Sequence, residues 1–233
     1  MTDPIHPRDP HPLRRLAADH PEWPVMLAAA GAWLYLASRP HAPAAGHHHG
    51  PAPVGGIDEA GLAAMVVAMM LPLMLSSVRE AAFSGPRPRR AMAAFLAGYL
   101  GIWIPVMLLI DIAWKQLFAG GTDAAVGMMV VAALWELTPA KQRQGHGCDT
   151  GSRPAGGLVR FGVMAGVRCV ASCWALMVLC VAFAHDVRVM AALFGIQLFS
   201  RYHRSAAPAL AAVGVLVVCL ASLALLTAGA HAV

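Results

Sequence analysis

Apolar residues along this chain come in long blocks, separated by short polar, proline-rich or glycine-rich stretches. The blocks fall at about Pro24–Ser38, Ala60–Val78, Ala91–Trp114, Ala124–Leu137, Gly157–Ala184, Val187–Ser200 and Ala206–Ala228. None shows the alternation over about ten residues that marks the strands of a membrane β-barrel. Most approach the roughly 20 residues that carry a helix across about 30 Å of hydrocarbon. The pattern predicts an all-α fold, a polytopic transmembrane helical bundle of six or seven spans. The uncertain member is Val187–Ser200, whose 14 residues rise about 21 Å as a helix. It reads either as a crossing or as a broken or re-entrant helix.

Composition supports the membrane reading. The 233 residues are 58% hydrophobic and 12% charged, against about 25% charged in soluble domains. The net charge is +5. In a membrane protein basic residues mark the cytoplasmic side and anionic headgroups rather than nucleic acid. Arg8, Arg14 and Arg15 precede the first block, and Arg79, Arg87, Arg89 and Arg90 follow the second. Lys141, Arg143, Arg153 and Arg160 follow the fourth, and Arg201 and Arg204 follow the short one. If the short segment crosses, all four groups share one side, leaving Arg39, Lys115 and Arg188 opposite. The N-terminus is then cytoplasmic and the C-terminus external. The opening MTDPIHPRDPHPLRRLAADHPEWP has no early apolar core and no small-residue cleavage site, so it reads as a retained tail. The expected organisation is a cytoplasmic tail at 1–22 and a single transmembrane domain at 23–233, with a His-rich external loop at 40–56.

Candidate chemistry concentrates in RCVASCWALMVLC, Arg168 to Cys180. On a helix Cys173 lies about 40° and Cys180 about 20° from Cys169, so three thiols share one stripe. Soft thiolate and thioether ligands favour copper(I) or similar ions. Small buried hydrophobes and a redox pair are the competing readings of the same residues. The second block offers Met65/Met69 and Met70/Met74 as i,i+4 pairs on different faces, interrupted by Pro72, which is expected to kink the helix. Arg168 either faces a partner, with Asp111 and Glu136 as candidates, or reaches the interface. His41, His47, His48 and His49 fall in the external loop, where a short His tract can gather metal. His146 and Cys148 lie on the cytoplasmic side, too few for a closed zinc site. No phosphate-binding loop, HExxH or GxSxG is present, so hydrolase and ATPase activities have no support.

Four segments carry a resemblance. MVVAMMLPLML, FLAGYLGIW, LWELTPAKQ and GVRCVASCWALM resemble, in this order, motifs of the bacterial family of predicted metal-binding integral membrane proteins named for domain of unknown function 2182. The similar region runs over about 62–226. The resemblance singles out Cys169, Cys173 and Trp174, with Pro72, Thr138, Pro139 and Lys141. The chain departs from it in three places. Cys148 stands without a second cysteine after LTPAK, where Gln144 occupies the other position. Ser172 precedes Cys173 where the family often has a further cysteine. Gln197 stands where the short segment often has glutamate.

The resemblance implies a metal-related membrane role; with the soft ligands, the expectation is copper-like handling, as transport or chaperoning across the bacterial inner membrane, without an enzymatic step. Met69, Cys169 and Cys173 would hold the ion. His47, His48 and His49 would capture it outside, and His146 and Cys148 would meet it at the cytoplasmic end. The expected partners are the lipid bilayer, the metal ion and a metallochaperone or membrane complex. A membrane thiol-disulfide redox protein and a scaffold subunit without chemistry are the alternatives.

Overall fold

Each apolar block folds as a helix. The computed structural model describes residues 20–39, 59–118, 122–143, 157–202 and 207–231. Among them the fold is all-α, with no strand. The helices are α1 (Trp23–Ser38), α2 (Glu59–Met70), α3 (Leu75–Ala82), α4 (Pro88–Phe118), α5 (Thr122–Leu137), α6 (Leu158–Ala182), α7 (Val187–Tyr202) and α8 (Ala207–His231). Three stretches are long and apolar enough to cross a membrane: Glu59–Ala82, Pro88–Leu117 and Leu158–Ala182. Trp23–Ser38 and Pro208–Ser222 are apolar but shorter. The short segment is helical over the 16 residues of α7, a rise of about 24 Å.

The second block departs from one continuous helix at the proline. Pro72 opens a 3-10 turn, Pro72–Met74, between α2 and α3. Lacking an N–H, it leaves the Ala68 carbonyl without its helical donor. The Trp33 indole of α1 fills the gap, donating to that oxygen at 3.0 Å. In an apolar setting such a replacement donor is what makes a proline break tolerable. The same contact sets the direction of the pair. Trp33 meets Ala68, while Glu22 at the start of α1 lies 3.6 Å from Arg79 in α3. As one chain advances the other retreats, so α1 packs antiparallel to α2–α3.

The most extensive helix contact is between α4 and α6. Glycines bring their backbones together. A Cβ at Gly98 would overlap the Val159 carbonyl, and a Cβ at Gly162 would overlap the Phe95 carbonyl. Gly166 sits against Ile102 and the Tyr99 carbonyl. Gly162 and Gly166 are spaced as in the small-xxx-small packing of helices in lipid. Phe95 pairs with Gly162 and Ile102 with Gly166, so the two helices run parallel and begin at the same end of the bundle.

The C-terminus of α6 stops early and carries strain. The expected block reached Ala184, but the helix ends at Ala182. The His185 N–H donates to the Cys180 carbonyl at 2.8 Å and the Ala184 N–H to Val181 at 3.0 Å. This is a Schellman cap, whose left-handed position usually holds glycine. Here Ala184 adopts φ 50° and His185 φ 60°. Burial pushes the His185 imidazole down to about 4, opposed by the charge of Asp111, so it is neutral at pH 7.

The core holds much sulfur: Met65, Met69, Met70, Met74, Met107 and Met177 are fully buried. The outer faces are apolar too, with Leu34 on α1, Leu109 on α4, Leu134 on α5, Val167 on α6 and Val217 on α8 exposed.

Two substitutions test this account. Gly162→Val must push α4 and α6 apart, at a cost of about 2 kcal/mol or more. Its thermal midpoint in detergent falls, while Gly127→Ala, where a Cβ meets nothing within 4 Å, leaves the midpoint in place. Ala184→Gly relieves the left-handed cap and stabilises the fold by about 1 kcal/mol, read as a raised midpoint.

Candidate metal centre

The thiol stripe of α6 faces the bundle interior. Among the described residues Cys169, Cys173, Cys180 and Cys219 form no disulfide, and all are buried. Cys169 Sγ and Cys173 Sγ stand 4.0 Å apart, one helical turn along. Met70 of α2 brings its Sδ to 3.9 Å from Cys169 Sγ. Two sulfurs bound to one ion at about 2.3 Å stand about 4 Å apart when the bonds open at 120°. The observed spacings therefore suit a shared ion. The donor set, two thiols and a thioether, is the soft type that selects copper(I).

The polar atoms around the pair are tied to it. The Tyr99 hydroxyl of α4 lies 3.2 Å from Cys169 Sγ and donates to it. Tyr99 is fully buried, and the parallel contact of α4 with α6 puts it at this height. Ser172 Oγ donates to the Cys169 carbonyl at 3.0 Å and lies 3.3 Å from Cys173 Sγ. From the other side, Trp135 Nε1 of α5 donates to the Ser172 carbonyl at 3.2 Å. Its ring meets Trp174 edge-on at 5.5 Å between centroids. Three helices thus fix the turn that carries both thiols.

The LTPAK segment places a charge pair beside the site. α5 ends at Leu137. Thr138 caps a new helical turn at 139–143, its Oγ1 accepting the Lys141 N–H at 3.3 Å. Threonine at the cap and proline at the first helical position are the residues such a start requires. The restart turns Lys141 back onto Glu136, and the two form a close, nearly buried ion pair. Both charges lie within electrostatic reach of Cys173.

The sequence candidates separate into three groups. Cys169 and Cys173 are brought together. Met69 is not at that pair; its Sδ lies 3.9 Å from Cys180 Sγ, and the neighbouring Met70 occupies the place beside Cys169. His41, His47, His48, His49, His146 and Cys148 lie outside the described residues. Arg168 is exposed on α6. Its two candidate partners are held by lysines: Asp111 by Lys115 at 2.6 Å, one turn along α4, and Glu136 by Lys141. Sequence reasoning offered Met70 only as half of an i,i+4 pair, chose Met69 as the ligand, and missed Tyr99. Met70 and Tyr99 lie in motifs it had marked, AMMLP and FLAGYLGIW, but a motif does not say which neighbour its side chains meet. Among the described residues no three His, Cys, Asp or Glu side chains gather around one point; the third sulfur beside Cys169 and Cys173 belongs to a methionine, Met70.

This soft cluster agrees with what comparison shows. The model of the PpoB2 family, described as copper chaperones, matches residues 61–224. The chain belongs to the PpoB2 copper chaperone family. The match covers all three long apolar helices and both sides of the Met70–Cys169–Cys173 cluster. No curated protein and no solved structure matches the chain. The family is copper-related, as the copper-like expectation from the sequence had it, and it carries a different name from domain of unknown function 2182, which the motifs resemble.

The clamp from α5 has a measurable effect. Trp135→Phe removes the indole bond to the Ser172 carbonyl, worth about 1 kcal/mol. In detergent, Cys173 should then react with a small maleimide about fivefold faster than in the parent, as about 1 kcal/mol implies. An unchanged labelling rate would show that Trp135 does not hold this turn.

Proposed function

We propose that the protein is an integral membrane carrier of copper(I), holding the ion between Cys169, Cys173 and Met70 and passing it on by ligand exchange. The observation that carries this reading is the convergence of two thiols and a thioether, at 3.9 and 4.0 Å, from two helices in the buried core. Family membership supports copper as the metal, and the sulfur spacing supports this cluster as the place. Two soft ligands per step suit handover, since a site of too many thiolates would trap the cargo.

The membrane reading rests on the outer faces of the helices. A helix apolar all round is either buried or a membrane span. Here long apolar helices carry exposed leucine and valine on the outside of the bundle. The parallel course of α4 and α6 fits their place as third and fifth spans, starting from the same side. The N-terminus is then cytoplasmic in a bacterial inner membrane, with α7 as a short crossing. The loop at 40–56, with His47, His48 and His49, gathers the ion outside. His146 and Cys148 meet it at the cytoplasmic end, where a soluble partner takes it up or delivers it. No nucleotide-binding loop is present in the sequence, so movement follows the gradient or the partner.

Metal analysis of the chain tests this. Purified in detergent from carbonate-washed membranes of copper-fed cells, the parent should retain at least one copper ion per chain. Cys169→Ser/Cys173→Ser should lose about one equivalent at unchanged helix content, and Met70→Leu should hold it more weakly. Equal copper in parent and double variant would sink the ligand assignment, and recovery of the chain in the carbonate wash would sink the membrane one.

A further inference from the structure

The third thiol of the stripe has its own partners. Cys180 is fully buried, and its Sγ lies 3.9 Å from Met69 Sδ. Cys219 of α8 is also fully buried, in the same hydrophobic core. A thiol of α6 and a thioether of α2 therefore meet in a second place, with the α8 thiol buried in the same core. Seven residues separate Cys173 from Cys180, a rise of about 10 Å along α6. One ion cannot bridge that distance, so the two clusters are distinct.

We propose that Met69, Cys180 and Cys219 form a second copper(I) station, next to the Met70–Cys169–Cys173 station along α6. This rests on the reading of the protein as a copper carrier and adds a path to it. The link is α2. Met69 and Met70 are successive residues before the Pro72 break, and they send one thioether to each thiol group. The charge balance favours the site. Copper(I) bound by one thiolate and neutral sulfur carries no net charge, so its burial avoids the cost of an isolated ion. Binding replaces the Cys180 S–H bond by an S–Cu bond, and the proton leaves to water. Cys219 completes the shell as a neutral thiol. An ion leaving one station thus finds soft ligands about two turns further along the same helix.

The test is anaerobic titration of the full-length, detergent-purified chain with copper(I) against a chromophoric copper(I) chelator. Met69→Leu/Cys180→Ala should bind about one equivalent less than the parent. Cys169→Ser/Cys173→Ser should lose a separate equivalent, and the copper-edge absorption of that variant should still report sulfur ligands. Undiminished binding by Met69→Leu/Cys180→Ala, with loss in Cys169→Ser/Cys173→Ser, would overturn the second station and leave the carrier reading standing. No loss in either variant would overturn both. Met69→Leu alone keeps the core volume and so folds as the parent does. It should weaken one equivalent at least tenfold, and unchanged affinity for every equivalent would also overturn the second station.

Discussion

The arrangement depends on the close approach of α4 and α6. Gly98 and Gly162 let backbone lie against backbone, so the register of the two helices is set by atoms that cannot move aside. Larger side chains would hold the helices apart and leave the register to adaptable contacts. With the register set, Tyr99 arrives beside Cys169, and its hydroxyl meets the sulfur instead of an apolar wall. The inner face of α6 is then free to receive α2 with its methionines and α5 with Trp135.

An apolar interior makes every polar atom costly unless another answers it. This bundle meets the demand locally. The carbonyl left open by Pro72 takes the Trp33 indole. The Ser172 carbonyl takes the Trp135 indole, and Glu136 takes Lys141. The pattern has a functional consequence. The groups around Cys169 and Cys173 are committed to one another, leaving sulfur as the available donor. A soft ion meets thiols and thioethers there, while an ion preferring oxygen or imidazole would find the nearby hydroxyls and charges already engaged. Under the proposed copper(I) role, selectivity would follow from what the site withholds as well as from what it offers.

Much of this was legible along the chain. The apolar blocks have helix-like length and no strand alternation, so the helices could be placed to within a few residues. Pro72 announced its break, and the Thr-Pro pair at 138 and 139 announced a helix restart, because both act through the backbone of their own neighbours. The common stripe of Cys169, Cys173 and Cys180 followed from helical geometry. The assignment of methionines did not follow. Met69 and Met70 are equally plausible ligands in a linear reading, and the choice turns on the azimuth of α2 about its axis. Asp111 and Glu136, the candidate partners of Arg168, each meet a lysine close in sequence, Lys115 and Lys141.

What the sequence determined by itself was everything carried by local rules: helix positions and ends, the proline break, the thiol stripe and the soft chemistry of the donors. What the tertiary structure decided was which sulfurs meet. That depends on the rotation of α2 and on the register of α4 and α6, the latter set by glycine contacts between residues some sixty positions apart (Phe95 with Gly162, Gly98 with Val159). Periodicity describes one helix at a time and carries no information about such contacts. For that reason the single stripe read from the sequence became two sulfur clusters in the fold, one on each side of the Met69–Met70 step.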